Sequence, residues 1–323
     1  MNIFITGATG FVGKKLVEKL SQTGHGMHCL VRETSEVTHL EEVGAKIIIG
    51  DITDKGSIRQ GMQGCQWVMH LANLYSFWEP NNKIFERVNI DGTRNVMECA
   101  IDLGVSKVIH VSTCVTYGCP RERPFTEESE PEAPLSEYAR TKRIGDDIVW
   151  ALHEERGLPA VVVFPAPVLG AGDPKATGRY VNDLVKRKLP ATMLEDSSMV
   201  FVHVEDVAEG ILRAAEKEGN IGEKYLLGKY RLSIGEMNEA VRDISGVPLP
   251  FMSLPDFLVM PTAELLTVVA NLFRAPPLWG MSVDQIRTSQ KGIDFDGTKA
   301  ERELGLIYTP PYDALKDMIR EMP

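Results

Sequence analysis

Residues 6–13 read TGATGFVG, with glycines at 7, 10 and 13, between the apolar run MNIFI and the amphipathic run KKLVEKL. A strand that passes into a helix through such a turn leaves its backbone bare there. A Cβ at Gly7, Gly10 or Gly13 is expected to block the turn, the approach of a phosphate, or the packing of helix on strand. The free N–H groups and the positive end of the helix dipole suit a pyrophosphate. Glycine spacing alone also fits a plain tight turn, so context has to decide. Here Leu16, Val17 and Leu20 give the following helix an apolar face, inside a βαβ unit of the expected length. Thr9, Phe11 and Val12 in the same turn join the three glycines as candidate dinucleotide contacts.

Short apolar runs then alternate with amphipathic ones: HCLVR, KIIIGD, QWVMHLA, KVIHVS and AVVVFP, with helices predicted near 54–63, 82–103 and 137–156. Strands without in–out alternation are strands covered on both faces. This predicts the α/β class, a doubly wound parallel sheet of Rossmann type. Regularity fades after residue 166, so 1–166 is read as the dinucleotide-binding domain and 167–323 as a smaller, mostly helical substrate lobe, with 201–230 returning to the sheet. Ser233 and Glu236 fit a capping box opening one lobe helix, with Gly246 near its end.

Composition narrows the partners. The chain of 323 residues is 43% hydrophobic and carries a formal charge of −10, with no basic stripe for nucleic acid. Five cysteines, odd in number and without metal-ligand spacing, read as free thiols in a reducing, cytoplasmic compartment. The first strand is expected to start at Asn2, leaving no room for a targeting peptide. FLVMPTAELLTVVANLF (257–273) contains Pro261 and Glu264 and is read as a buried or lid-forming helix rather than an integral membrane segment, with membrane-surface attachment the alternative.

The second strand ends at Val31-Arg32, 19 residues past the last glycine. An acidic residue there would favour a ribose hydroxyl; arginine pairs with a 2′-phosphate. Arg32 therefore favours NADP over NAD, unless it is a solvated cation and Glu33 takes the ribose. Asp51 and Ile52 close the third strand, where an adenine edge or a helix cap would each use Asp51. Tyr138 and Lys142, four apart, share a helix face whose start is signalled by Pro134 and Ser136. A phenol with a pKa of about 10 is a poor base near neutrality, and an adjacent ammonium is expected to lower that value. Thr113, 25 residues before the tyrosine, offers a second hydroxyl. Tyr75, Phe77 and Trp78 in LYSFWEP either stack on a flat or apolar substrate or pack in the core, and Arg179 is a candidate anion ligand. HEERG (153–157) lacks the second histidine of a zinc motif, and no metal is called for.

TGATGFVG, HLAN (70–73), NIDGTRNV (89–96), VSTCVTYG (111–118), YARTK (138–142) and FVHVEDVAEG (201–210) together resemble the extended short-chain dehydrogenase/reductase superfamily. Within it the chain is most similar to the dihydroflavonol-reductase-like and hydroxysteroid-dehydrogenase-like branch. The likeness extends to FDGTKAERELGLIYTPPYDAL (295–315). It implies that Tyr138 is the acid/base, that Lys142 holds the nicotinamide ribose and tunes Tyr138, and that Thr113, with Ser112 able to share the role, orients the substrate oxygen. It also implies that Pro165 and Val168 line the nicotinamide pocket, that Leu71, Ala72 and Asn73 border the cofactor, and that the protein is a homodimer. Asn89 would order a segment near the cofactor or serve a turn. Dehydratase-type members carry an acidic pair after the catalytic hydroxyl; this chain has Cys114-Val115, which disfavours dehydration. The resulting expectation is an NADP(H)-dependent reductase or dehydrogenase of a small carbonyl or secondary alcohol. A sugar-nucleotide epimerase with tightly bound NAD(P) and a non-catalytic NADP-sensing protein are the alternatives.

Overall fold

The computed structural model describes residues 1–322. Its first half alternates β1 (Asn2–Thr6), β2 (Gly26–Val31), β3 (Lys46–Ile49), β4 (Trp67–His70), β5 (Lys107–Val111) and β6 (Ala160–Pro165) with helices. These are α1 (Phe11–Ser21), α2 (Thr38–Glu42), α3 (Lys55–Met62), α4 (Lys83–Phe85), α5 (Thr93–Asp102) and α6 (Glu137–Arg156). The second half begins with β7 (Val168–Leu169), α7 (Ala176–Val185), β8 (Ala191–Met193), β9 (Ser198–His203), α8 (Val204–Glu216) and β10 (Lys224–Leu227). It continues through β11 (Tyr230–Ser233), α9 (Ile234–Ser245), β12 (Met252–Leu254), α10 (Asp256–Phe273), α11 (Val283–Lys291), α12 (Thr298–Leu304) and α13 (Pro311–Arg320).

Seven strands form one parallel sheet in the order β10-β6-β5-β4-β1-β2-β3. Every residue of β5 and β6 is buried, as the unalternating sequences require of strands covered on both faces. The strand order reverses between β1 and β4, and a crevice opens at the carboxyl ends of strands at such a reversal. Helix α8 packs on α1, and β10 pairs with β6 at the edge of the large sheet. Residues 201–203 lie in β9, which joins β7 and β11 in a separate three-stranded sheet.

Local signals explain the helix ends. Ser136 accepts from Ala139 N–H (3.1 Å) at the start of α6, and Gly157, with φ +68°, ends it. The capping box at Ser233 and Glu236 is present, and Gly246 closes that helix in the left-handed conformation. The reading of 257–273 as buried is corrected. In α10 the small residues Ala263 and Ala270 face inward with Val259, while Phe257, Leu265, Val268, Leu272 and Phe273 face outward, each at least 64% exposed. By length and composition α10 is apolar enough to cross a membrane, yet its inner face packs on Leu194, Ile234, Met281 and Ile286 of the lobe.

Candidate active site

The glycine turn lies at the β1–β4 reversal. Gly7 has φ +77°, and a Cβ on it would stand 2.7 Å from Ala72 N and 2.8 Å from Leu71 C, in the loop after β4. A Cβ on Gly13 would stand 2.1 Å from Gly7 O. Gly10, the N-cap of α1, has an ordinary φ of −78° and no side-chain cap. Its Cβ would meet only Gly7 O, at 3.2 Å. Two of the glycines are therefore required by the fold itself, and the third is left bare toward the crevice.

Thr9, Phe11 and Val12 sit half-buried around this turn, and Phe11 reaches the space beside Gly170. Leu71 is buried and Ala72 and Asn73 half-buried on the opposite wall. Asn73 Oδ1 is a buried oxygen without a hydrogen-bond partner among the described residues. An orphaned acceptor on the wall, a helix end without a cap and a turn that excludes side chains are what a dinucleotide would complete.

Arg32 is exposed just beyond β2, with no ion pair among the described residues, and Glu33 is exposed beside it. Asp51 does not cap α3; Asp54 does, accepting from Gly56 N (2.9 Å) and Ser57 N (3.3 Å). Asp51 Oδ1 instead accepts from both N–H and hydroxyl of Thr53, and Ile52 is buried under Gly92. Pro165 ends β6 opposite Leu227, and Val168 follows in β7.

Tyr138 and Lys142 project from α6 to the carboxyl end of β5, and Thr113, which follows β5, is close enough to the Tyr138 phenol to influence its titration. The expected lowering of the phenol by Lys142 is overturned here. Tyr138 is only 5% exposed, and burial raises its pKa well above the usual phenol value, with Thr113 opposing weakly. The Lys142 ammonium donates to Val111 O (3.0 Å), and burial lowers its pKa to about 8. The Ser112 hydroxyl is engaged by a different partner, donating to Asp146 Oδ2 (2.7 Å).

Asp146 is the residue the sequence reading missed. Buried one turn past Lys142, it accepts from Ser112 and from His110 Nε2 (3.0 Å), and its charge raises the Lys142 pKa against the burial effect. Burial in turn raises its own pKa to about 6. His110 stacks on His70 (centroids 5.4 Å), whose ring nitrogens contact Thr6 (2.7 Å) and Thr93 (3.2 Å). Burial drives both imidazoles well below their usual pKa, so His110 is a neutral donor through Nε2. The i+4 spacing from Lys142 to Asp146 was the available signal.

The aromatic loop packs on α6 and also borders a cavity. Tyr75 and Phe77 pack edge-on against Tyr138 (5.0 and 6.2 Å) and also line a cavity of ≈ 590 Å³. Asn89 pins this loop: Leu74 N–H donates to its Oδ1 (2.7 Å), while its Nδ2 donates to Leu74 O and Thr141 Oγ1. Asn89 lies in a π-helical stretch, Glu86–Gly92, a distortion frequent at functional sites. Trp78 Nε1 donates to Asn271 Oδ1 of α10 (2.8 Å). The far wall is Met193, Met199, Phe201 and Met237, with Arg179 on its rim, paired to Asp183 (3.7 Å).

Comparison with known proteins fits this geometry. Residues 3–228 match the model of the NAD dependent epimerase/dehydratase family. The chain belongs to that family. As such it is an enzyme of the extended short-chain dehydrogenase/reductase type, and the family works with a nicotinamide cofactor. A protein of Synechocystis sp. named "Putative dihydroflavonol 4-reductase" is 30% identical over 98% of this chain and 93% of its own length. Sterol demethylase protein B of Methylococcus capsulatus is 29% identical over 99% and 97%. The solved structure of gox2253 superposes with a TM-score of 0.85 at 32% identity, covering 99% of this chain and 97% of that one.

Proposed function

We propose that this family member is an NADP(H)-dependent oxidoreductase that interconverts a carbonyl and a secondary alcohol on a small, largely apolar substrate, with Tyr138 as acid/base. The observation that carries the reading is the convergence of Tyr138, Thr113 and the buried Lys142 at the end of β5, beside an aromatic- and methionine-lined cavity. A bound nicotinamide would supply or accept the hydride. Residues 1–166 hold the cofactor and 167–323 contribute most of the substrate cavity. The glycine turn, Thr9, Phe11, Val12 and Asn73 seat the dinucleotide, and Arg32 takes its 2′-phosphate.

Thr113 orients the reacting oxygen, and Tyr138 moves the proton at that oxygen. The environment of Tyr138 favours the neutral phenol, so its natural action is as a proton donor to a developing alkoxide, in the direction of carbonyl reduction. Cys114 does not replace the missing dehydratase acid, since burial pushes its thiol up to about 12. Substrate reaching the phenol must displace the rings of Tyr75 and Phe77.

Steady oxidation of NADPH with a panel of apolar ketones and aldehydes is the expected assay result. Interconversion of sugar nucleotides without net cofactor turnover would replace this reading by an epimerase. In the same assay Arg32→Ala is expected to raise KM for NADPH at least about tenfold and leave NADH nearly unchanged, the loss of one charge-assisted phosphate pair. An equal loss for both cofactors would overturn the 2′-phosphate assignment.

Asp146 acts through Lys142. With Lys142 at about 8, activity that needs the ammonium falls as pH rises through that value. Asp146→Asn removes the charge that raises it, so the alkaline limb of kcat/KM is expected to move to lower pH. An unmoved limb with merely lower activity would make Asp146 structural.

A further inference from the structure

Helix α10 sorts its side chains in the opposite way to a water-facing helix. Its small residues Ala263 and Ala270 are inside, and Phe257, Leu265, Val268, Leu272 and Phe273 are outside. The stripe runs the full 18 residues, or roughly 27 Å at the helical rise per residue. Asp256, Glu264 and Asn271 are exposed as well, Glu264 beside Phe257 and Val268 at the edge of the stripe, and Thr262 and Thr267 are half-buried. An apolar face of this length marks a binding surface rather than ordinary exposure.

The surroundings specify what it binds. Arg274 caps the C-terminal end of α10, followed by exposed Leu278 and Trp279. At the other end, Phe251 and Met252 are fully or largely exposed where β12 begins. Strand β12 pairs in parallel with β8, Ala191 opposite Met252, and β8 is entered from Lys186-Arg187-Lys188. A cation and an aromatic, Arg274 and Trp279, at one end of the apolar face, with exposed Lys186, Arg187 and Lys188 beyond the start of β12, are the arrangement of an interfacial helix on anionic lipid. The stripe also runs into the substrate cavity, whose mouth is lined by Arg274, Pro276, Pro277 and Trp279.

We propose that the outer face of α10, with Phe251, Leu278 and Trp279, seats this enzyme on the surface of an anionic lipid bilayer, with the mouth of the cavity turned to the lipid. The helix lies in the interface and does not span, since its inner face is packed on the lobe. The seating stands on the surface alone. The route it gives, from lipid directly into the cavity for an apolar carbonyl compound, rests on the function proposed above.

The test is co-sedimentation of the full chain with phosphatidylcholine vesicles and with vesicles containing about one-third phosphatidylglycerol, without substrate or cofactor. Binding is expected to the anionic vesicles and to weaken with salt. Leu265→Glu/Leu272→Glu, two exposed positions outside the cavity, should reduce it at least about tenfold with an unchanged melting temperature. Lys186→Gln/Arg187→Gln/Lys188→Gln should reduce it on the anionic vesicles only. Failure to sediment with either vesicle overturns the proposal, as does binding indifferent to the leucine pair. So does a dimer in solution that this pair dissociates. Vesicle binding without any carbonyl turnover would leave the seating intact and count against the functional reading instead.

Discussion

Tyr138→Phe is expected to lower kcat by about 10²- to 10⁴-fold, the range for removing a positioned proton donor, while the Kd of the dinucleotide stays within about twofold. The separation follows from where the hydroxyl sits. The Tyr138 ring is held edge-on by Tyr75 and Phe77, and phenylalanine retains both contacts. What disappears is the one hydroxyl proposed, with Thr113, to meet the substrate oxygen. Because burial keeps the phenol protonated across the ordinary pH range, its loss should be felt equally at pH 6 and pH 8 in the reducing direction. Stopped-flow single-turnover kinetics with NADPH separates this from slowed product release. A variant retaining more than a tenth of the wild-type single-turnover rate would remove Tyr138 from the chemistry.

The same buried pair shows where the sequence is readable and where it is not. Local, short-period signals carry over directly. The unalternating runs of β5 and β6 are buried throughout, and Ser136, Ser233 and Gly246 stand where their spacing puts them. The glycine turn and the i+4 pair on α6 are also local, so their places in the fold are written in a few neighbouring residues. Their energetics are not. The direction of the Tyr138 shift depends on how completely Tyr75 and Phe77 desolvate it, and those rings arrive from a loop more than sixty residues earlier in the chain. Asp146 was overlooked because a carboxylate on a helix surface and one buried against His110 look identical in sequence.

The lobe is harder to read for a related reason. The hydropathy of 257–273 is compatible with a core helix, a lid or an interfacial segment. Only tertiary packing shows that its small residues, and not its large ones, are turned inward. The cavity wall at Met193, Phe201, Met237 and Trp279 draws on four separate elements or loops, with no shared periodicity to announce it.

The opening glycine repeat offers the second large effect, because the structure assigns its members different reasons. Gly13→Ala places a Cβ 2.1 Å from Gly7 O and 2.8 Å from Ala8 Cα, both backbone atoms that cannot swing away. Helix α1 would have to lift from the turn, at a cost of about 1–3 kcal/mol or more, typical of overpacking. Thermal unfolding of the apo protein should report that loss directly. Gly10→Ala is the informative contrast. Gly10 already has an ordinary φ, and its Cβ meets only Gly7 O at 3.2 Å, so apo stability should change by less than about 1 kcal/mol. If a pyrophosphate lies against that N-cap, the added methyl occupies the space where the phosphate takes backbone N–H groups. Dinucleotide Kd should then rise at least about tenfold, measured by quenching of intrinsic fluorescence or by calorimetry. Loss of binding without loss of stability at Gly10, set against loss of both at Gly13, distinguishes a glycine kept for a ligand from one kept for the fold. Unchanged affinity in Gly10→Ala would mean that the crevice at the β1–β4 reversal is bare for some reason other than phosphate.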